Sequence, residues 1–169
     1  MQRGQEAGRP SAPLTVHEGL QNTVLVAVES DQVREALVAM LGANDHFRVV
    51  AETDNADAAL EAARRQRPRL VLIDPELSNC GGWWVIQQIR SEQLACVVVA
   101  LGRHANGTLA QIAGAHGYVQ MGTSPRDLLS AIEAAMVFRA SPVSRAAEAE
   151  EELLPDTHAV LDEPALVDL

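Results

Sequence analysis

Two acidic residues stand where a carboxylate can do chemistry. Asp74 closes the run Leu70-Val71-Leu72-Ile73 and is followed at once by Pro75, Glu76 and a loop ending in Gly81-Gly82. Glu29 follows a second apolar run, Thr23-Val24-Leu25-Val26-Ala27-Val28. A short continuous apolar run is the pattern of a strand buried on both faces. Proline cannot continue a ladder, so the later strand ends at Asp74. A carboxylate on the last residue of a buried parallel strand points into the crevice beyond the strand ends, where open α/β sheets bind their ligands. Two carboxylates in one crevice must recruit a cation or let one pKa rise. Magnesium is held by one or two carboxylates with water and phosphate oxygens, so Glu29 and Asp74 suffice for it in principle.

The elements needed to position these acids are legible in order. Thr23 to Val28 reads as a strand, and Glu29-Ser30-Asp31 as a helix start. Val33, Ala36, Leu37, Met40 and Leu41 then share one helical face. Phe47 to Thr53 is a second strand; Thr53-Asp54-Asn55 offers a cap for an alanine-rich helix that stops before Pro68. After the strand that ends at Asp74, Gly82 opens a helix to about Arg90. Cys96 to Leu101 is a fourth strand, Thr108 to Ala115 a helix, and Tyr118 to Gln120 a short fifth strand. Ser124-Pro125 is a cap with proline at the first helical position, leading a last helix to Arg139. Strict alternation of five strands and five helices predicts an α/β fold: a doubly wound, five-stranded parallel sheet with helices on both faces, flavodoxin-like. In the order 2-1-3-4-5 the first and third strands are neighbours, which brings Glu29 and Asp74 together. The domain is expected over residues 22–139. Residues 1–21 read as a flexible leader, and 140–169 as an acidic, disordered tail with no second domain.

Composition excludes several functions. The 169 residues carry a formal net charge of −10 and no lysine, which removes Schiff-base and ammonium–phosphate chemistry. The acidity argues against a nucleic-acid surface and against anionic membranes. From Arg139 onward there are eight acids and two arginines, so most of the excess lies in the tail. No helix-turn-helix pattern follows Arg139. Cys80 and Cys96 show no zinc spacing and fit a reducing compartment, with Cys96 as a small buried hydrophobe. The apolar run Cys96 to Leu101 is too short for a bilayer, and the N-terminus has no signal-peptide core. A cytoplasmic location is expected.

The runs Val-Arg-Glu-Ala-Leu (33–37), Leu-Val-Leu-Ile-Asp (70–74), Gly82, Gly-Ala-His-Gly-Tyr (114–118) and Ser-Pro-Arg-Asp-Leu-Leu-Ser-Ala-Ile (124–132) resemble, in this order, the receiver domain of bacterial two-component response regulators of the LuxR/NarL type. The resemblance covers Thr23 to about Phe138. It implies a phosphoacceptor at Asp74, fed by a sensor histidine kinase, and a magnesium site at Glu29, Asp74 and the main-chain carbonyl of Glu76. It makes the chain an acceptor domain rather than an enzyme. Several family positions have changed: the second metal-binding acid falls on Val28, the hydroxyl at the end of the fourth strand on Ala100, and the phosphate-pairing lysine on Met121. The loop after the acceptor reads Leu77-Ser78-Asn79-Cys80-Gly81-Gly82. The switch aromatic is kept as Tyr118.

A hydrogen bond to a charged group contributes about 1.5–3 kcal/mol, and two such contacts to a phosphoryl group are missing. Turning a mostly-off equilibrium mostly on needs about 5.5 kcal/mol of differential binding, so most of the usual coupling is expected to be lost. Arg103 and His104, after the fourth strand, are candidates for a replacement charge. Trp84 shares a helical face with Gln87, Gln88 and Ser91 and reads as a contact site. Output is expected through protein contacts, either with a target or in a homodimer, on the Ala110–Phe138 face or at Trp84. The segments Leu153-Leu154-Pro155 and Ala159-Val160-Leu161, which alternate apolar clusters with acids, are candidates for docking on this domain or on another protein. A phosphorylation-independent binding module is the competing reading. A flavodoxin-like cofactor binder fares worse, because the loop Val28-Glu29-Ser30-Asp31 lacks glycine and would repel a phosphate.

Overall fold

The computed structural model describes residues 21–104 and 107–140; nearly all of the expected leader and tail lie outside the described residues. The elements are β1 (Asn22–Ala27), α1 (Asp31–Gly42), β2 (Phe47–Thr53), α2 (Ala56–Gln66), β3 (Leu70–Ile73), α3 (Gly82–Ser91), β4 (Val97–Gly102), α4 (Gly107–Ala113), β5 (Gly117–Gln120) and α5 (Pro125–Ala140). The strands pair in parallel in the order β2-β1-β3-β4-β5, as expected.

The β-branched and leucine runs are buried because both sheet faces are covered. Side chains alternate along each strand. Leu25, Ala27, Val71, Ile73, Val98 and Ala100 pack against α2, α3 and α4. Val24, Val26, Leu70, Leu72, Val97, Val99 and Leu101 pack against α1 and α5. Fully burying a Val, Leu or Ile side chain contributes about 1.5–3 kcal/mol, so these two layers dominate the stability of the fold.

Local chemistry fixes the helix ends. The Asn55 side chain accepts from the amide of Ala58 at 2.9 Å to begin α2, and Arg67, at φ 45°, ends that helix before buried Pro68. The Ser124 hydroxyl accepts from the Asp127 amide at 3.2 Å and donates to its carboxylate at 2.7 Å, just ahead of Pro125. Ser30 precedes α1 without a side-chain cap.

Helix α3 differs in detail from the sequence reading. Val85, Ile86 and Ile89 are its buried face, while Trp83 and Trp84 are both half-buried against the α2–α4 layer. Trp84 therefore does not stand clear on a polar face. The two large indoles cover the margin of the core, and the smaller Val85 fits beneath the sheet-facing side.

Candidate functional site

The ladder carries β3 one residue past its last strand position. Ile73 pairs with Ala100 of β4, and the amide of Asp74 donates to the carbonyl of Ala27 at 2.8 Å. Asp74 is thus fixed between the ends of β1 and β4. It is only 2% exposed and is the one buried polar or charged residue among the described residues. Pro75 turns the chain so that the amide of Glu76 donates to Oδ1 of Asp74 at 2.8 Å. Oδ2 has no hydrogen-bond partner among the described residues. Burial pushes the Asp74 carboxyl above the usual carboxylate range; the Glu76 amide opposes this, the Glu76 charge adds to it, Arg103 opposes it and Glu29 adds to it.

Glu29 is exposed, two residues beyond the carbonyl that holds Asp74, and its charge is felt there. Its loop is anchored by Arg34, which donates to the carbonyls of Val28 at 2.8 Å and Glu29 at 3.4 Å and pairs with Asp31. Sequence reasoning missed this clamp; the acid–base spacing of Asp31 and Arg34 is its only trace. Val28 is wholly buried in the α1/α5 layer, so it supplies no ligand. No group of three His, Cys, Asp or Glu side chains able to hold a metal occurs among the described residues. Asp74 and Glu29 each offer a carboxylate and Glu76 a main-chain carbonyl, and magnesium accepts a set this sparse only when water completes its shell.

The loop after Asp74 is built against it. An ideal Cβ on Gly82 would lie 2.0 Å from the carbonyl oxygen of Asp74 and 2.8 Å from Cα of Pro75, so only glycine lets α3 start this close. Leu77 and Gly82 donate to the carbonyls of Asp74 and Pro75 at 3.2 and 3.1 Å. Ser78 and Asn79 tie the loop to the start of α2 through the Asp54 carbonyl at 3.2 Å and the Asp57 carboxylate at 3.3 Å.

On the β4–β5 side, Ala100 is fully buried and offers no donor. Met121 is half-buried over the α1/α5 layer, its amide donating to Gly102 at 2.8 Å. The Tyr118 hydroxyl donates to the carbonyl of His104. Its ring lies over Gly102, where a Cβ would sit 2.3 Å from the hydroxyl oxygen. Further down, Arg139 of α5 donates to the carbonyl of Cys96 and lies 3.2 Å from Nε2 of His116, a tie between α5 and the foot of β4 that the sequence reading also missed. Leu109 and Ile112 of α4 and Val137 and Phe138 of α5 are exposed. A cavity of about 380 Å³ lies between β5 and α5, with Tyr118, Val119, Ala131 and Phe138 in its wall.

A parallel sheet of order 2-1-3-4-5 with a buried acid at the end of its central strand defines a flavodoxin-like signalling fold. Residues 24–133 match the model of the response regulator receiver domain, and the chain belongs to that family. It is 32% identical over 116 residues to a putative transcriptional regulator of Pseudomonas aeruginosa, covering 67% of this chain and 56% of that protein. It is 25% identical to the nitrate/nitrite response regulator NarL of Escherichia coli, over 67% and 54% of the two chains. The chain thus spans about half the length of the curated relatives it matches. Among solved structures, the receiver domain of the putative response regulator NarL from Mycobacterium tuberculosis superposes with a TM-score of 0.66 at 25% identity, covering 69% of this chain and 96% of that one. A LuxR-family response regulator from Aurantimonas gives 0.66 at 29% identity, over 79% and 99%. No helix among the described residues is long and apolar enough to cross a membrane.

Proposed function

We propose that this chain is an atypical receiver that accepts a phosphoryl group on Asp74 from a sensor histidine kinase and signals through protein contacts. The observation that carries the reading is the buried Asp74 carboxylate, with Oδ1 held by the Glu76 amide and Oδ2 without a hydrogen-bond partner among the described residues. Oδ2 is the nucleophile: its bond to phosphorus forms as the phosphorus–nitrogen bond of a phosphohistidine breaks, and the imidazole keeps the electron pair. Burial of Asp74 excludes water from one side of the acceptor, and the Glu76 amide orients the carboxylate for in-line attack. Magnesium, held by Asp74, Glu29 and the Glu76 carbonyl, would supply neutralisation of the phosphoryl oxygens when bound.

The contact surface is the face from Ala110 to Phe138, where exposed Leu109, Ile112, Val137 and Phe138 flank β5. A second reading, a pseudo-receiver that binds partners without phosphorylation, is favoured by the burial of Val28 and Ala100 and by Met121, three positions that offer the phosphoryl group nothing. Amide NMR with magnesium, beryllium and fluoride separates the two. Shifts centred on Asp74 and reaching Tyr118 support the phosphoacceptor; an unchanged spectrum supports the binding module.

A further inference from the structure

We infer that Arg103 pairs with the oxygens of a phosphoryl group carried by Asp74 and transmits its arrival to Tyr118 through the backbone of residues 103 and 104. This rests on the phosphoacceptor reading above and adds the residue that couples the site to β5.

The first ground is position. Ile73 pairs with Ala100, so Asp74 lies level with Leu101, and Arg103 leaves β4 one residue beyond its last pair, Gly102 with Gln120. The second is availability. Arg34, Arg64, Arg65 and Arg139 are each engaged by carboxylates or carbonyls. Arg103 is exposed, has no hydrogen-bonded or ion-paired side-chain partner among the described residues, and is the cation whose charge Asp74 feels. A guanidinium presents a planar fork of donors matched to phosphoryl oxygens, the role that neither Met121 nor Ala100 can fill.

The third ground is connection. The Arg103 carbonyl accepts from Nε2 of Gln120 at 3.4 Å, and the next carbonyl, of His104, accepts from the Tyr118 hydroxyl. Both donors stand on β5. Glycine at 102 is what lets the tyrosine ring lie across this backbone. The guanidinium that would reach toward Asp74 is thus carried on the same backbone whose two carbonyls hold Gln120 and Tyr118, and Tyr118 borders the cavity beside α5. Such a switch requires that this loop take a second arrangement once the phosphoryl group is present, and the experiment below reads that out at Tyr118.

Tyr118 is the only tyrosine in the chain, so fluorotyrosine labelling gives one ¹⁹F resonance that reports on it alone. The full chain, Arg103→Ala and Arg103→Lys are titrated with beryllium fluoride in the presence of magnesium, following Asp74 amide shifts and the ¹⁹F signal. The wild-type resonance is expected to move. Arg103→Ala should need about ten-fold more beryllium fluoride and leave the ¹⁹F signal in place, and Arg103→Lys should recover part of both. Wild-type affinity and a wild-type ¹⁹F shift in Arg103→Ala would overturn this inference and leave the phosphoacceptor reading standing. Silence at both Asp74 and Tyr118 in the wild type would overturn both.

Discussion

The amide of Asp74 donates to the carbonyl of Ala27 at 2.8 Å, so β3 stays in register with β1 up to the residue that carries the proposed chemistry. Glu29 follows Ala27 by two residues, and its loop is held by the Arg34 clamp on the carbonyls of Val28 and Glu29. The backbone thus puts the Glu29 charge within electrostatic reach of Asp74, where the Glu76 charge already acts on it. This is an arrangement that costs stability when no cation is present.

That cost has a pH signature. Burial holds the Asp74 carboxyl above its unfolded value, so the folded chain binds the proton more tightly than the unfolded one. The associated stability is present below the unfolded carboxylate pKa of about 3.9 and is lost as pH rises through the raised folded value. With metal removed by EDTA, Asp74→Asn should melt at a higher temperature than wild type near neutral pH, and the gap should narrow on acidification. Melting curves across the pH range check this; a gap that does not change with pH would show that burial of the charge is not its cause.

Two glycines are expected to respond differently to a methyl group. In Gly82→Ala the new carbon meets backbone atoms of Asp74 and Pro75, which cannot yield without moving the site, so a loss of about 3 kcal/mol is expected. In Gly102→Ala it meets the tip of the Tyr118 side chain, which can swing away at a cost of about 1 kcal/mol and with loss of the bond to His104. Urea denaturation should rank them in that order.

The two cysteines should separate chemically. Cys80 is exposed beside Asp57, whereas the buried Cys96 thiol is pushed up to about 11 by desolvation. At about pH 8 the Cys96 thiolate amounts to about one part in a thousand. Iodoacetamide should therefore label Cys80 in the native chain and reach Cys96 only on unfolding, as peptide mass mapping would record.

Ile112 and Val137 are each 72% exposed, so folding gains little from them. Ile112→Ser and Val137→Ser should change stability by no more than about 0.5 kcal/mol. Thermal melts test this directly, and a larger loss would show that these side chains belong to the core after all.

The alternation of apolar runs with amphipathic helices made the sheet order, and with it the place of Asp74 beside the end of β1, legible, because buried parallel strands are encoded in contiguous sequence. Pro75 and Gly82 marked the turn for the same reason: each acts through its own backbone. What stayed hidden depends on residues distant in sequence or on side-chain reach. The clamp of Arg34 on two main-chain carbonyls leaves little mark in a residue pattern, and the tie of Arg139 to Cys96 joins positions far apart in the chain. For Trp84, helical periodicity assigns a face but not the width of an indole, which here also packs over the core margin. Tyr118 was recognised by type, yet its bond to His104 depends on the missing side chain of Gly102.

The most direct test is phosphorylation itself. The full chain is incubated with magnesium and acetyl phosphate, and intact and peptide masses are recorded beside those of Asp74→Asn. One added phosphoryl group is expected, mapped to the peptide containing Asp74 and absent from the variant. An unmodified wild-type chain, or equal labelling of Asp74→Asn, would contradict it.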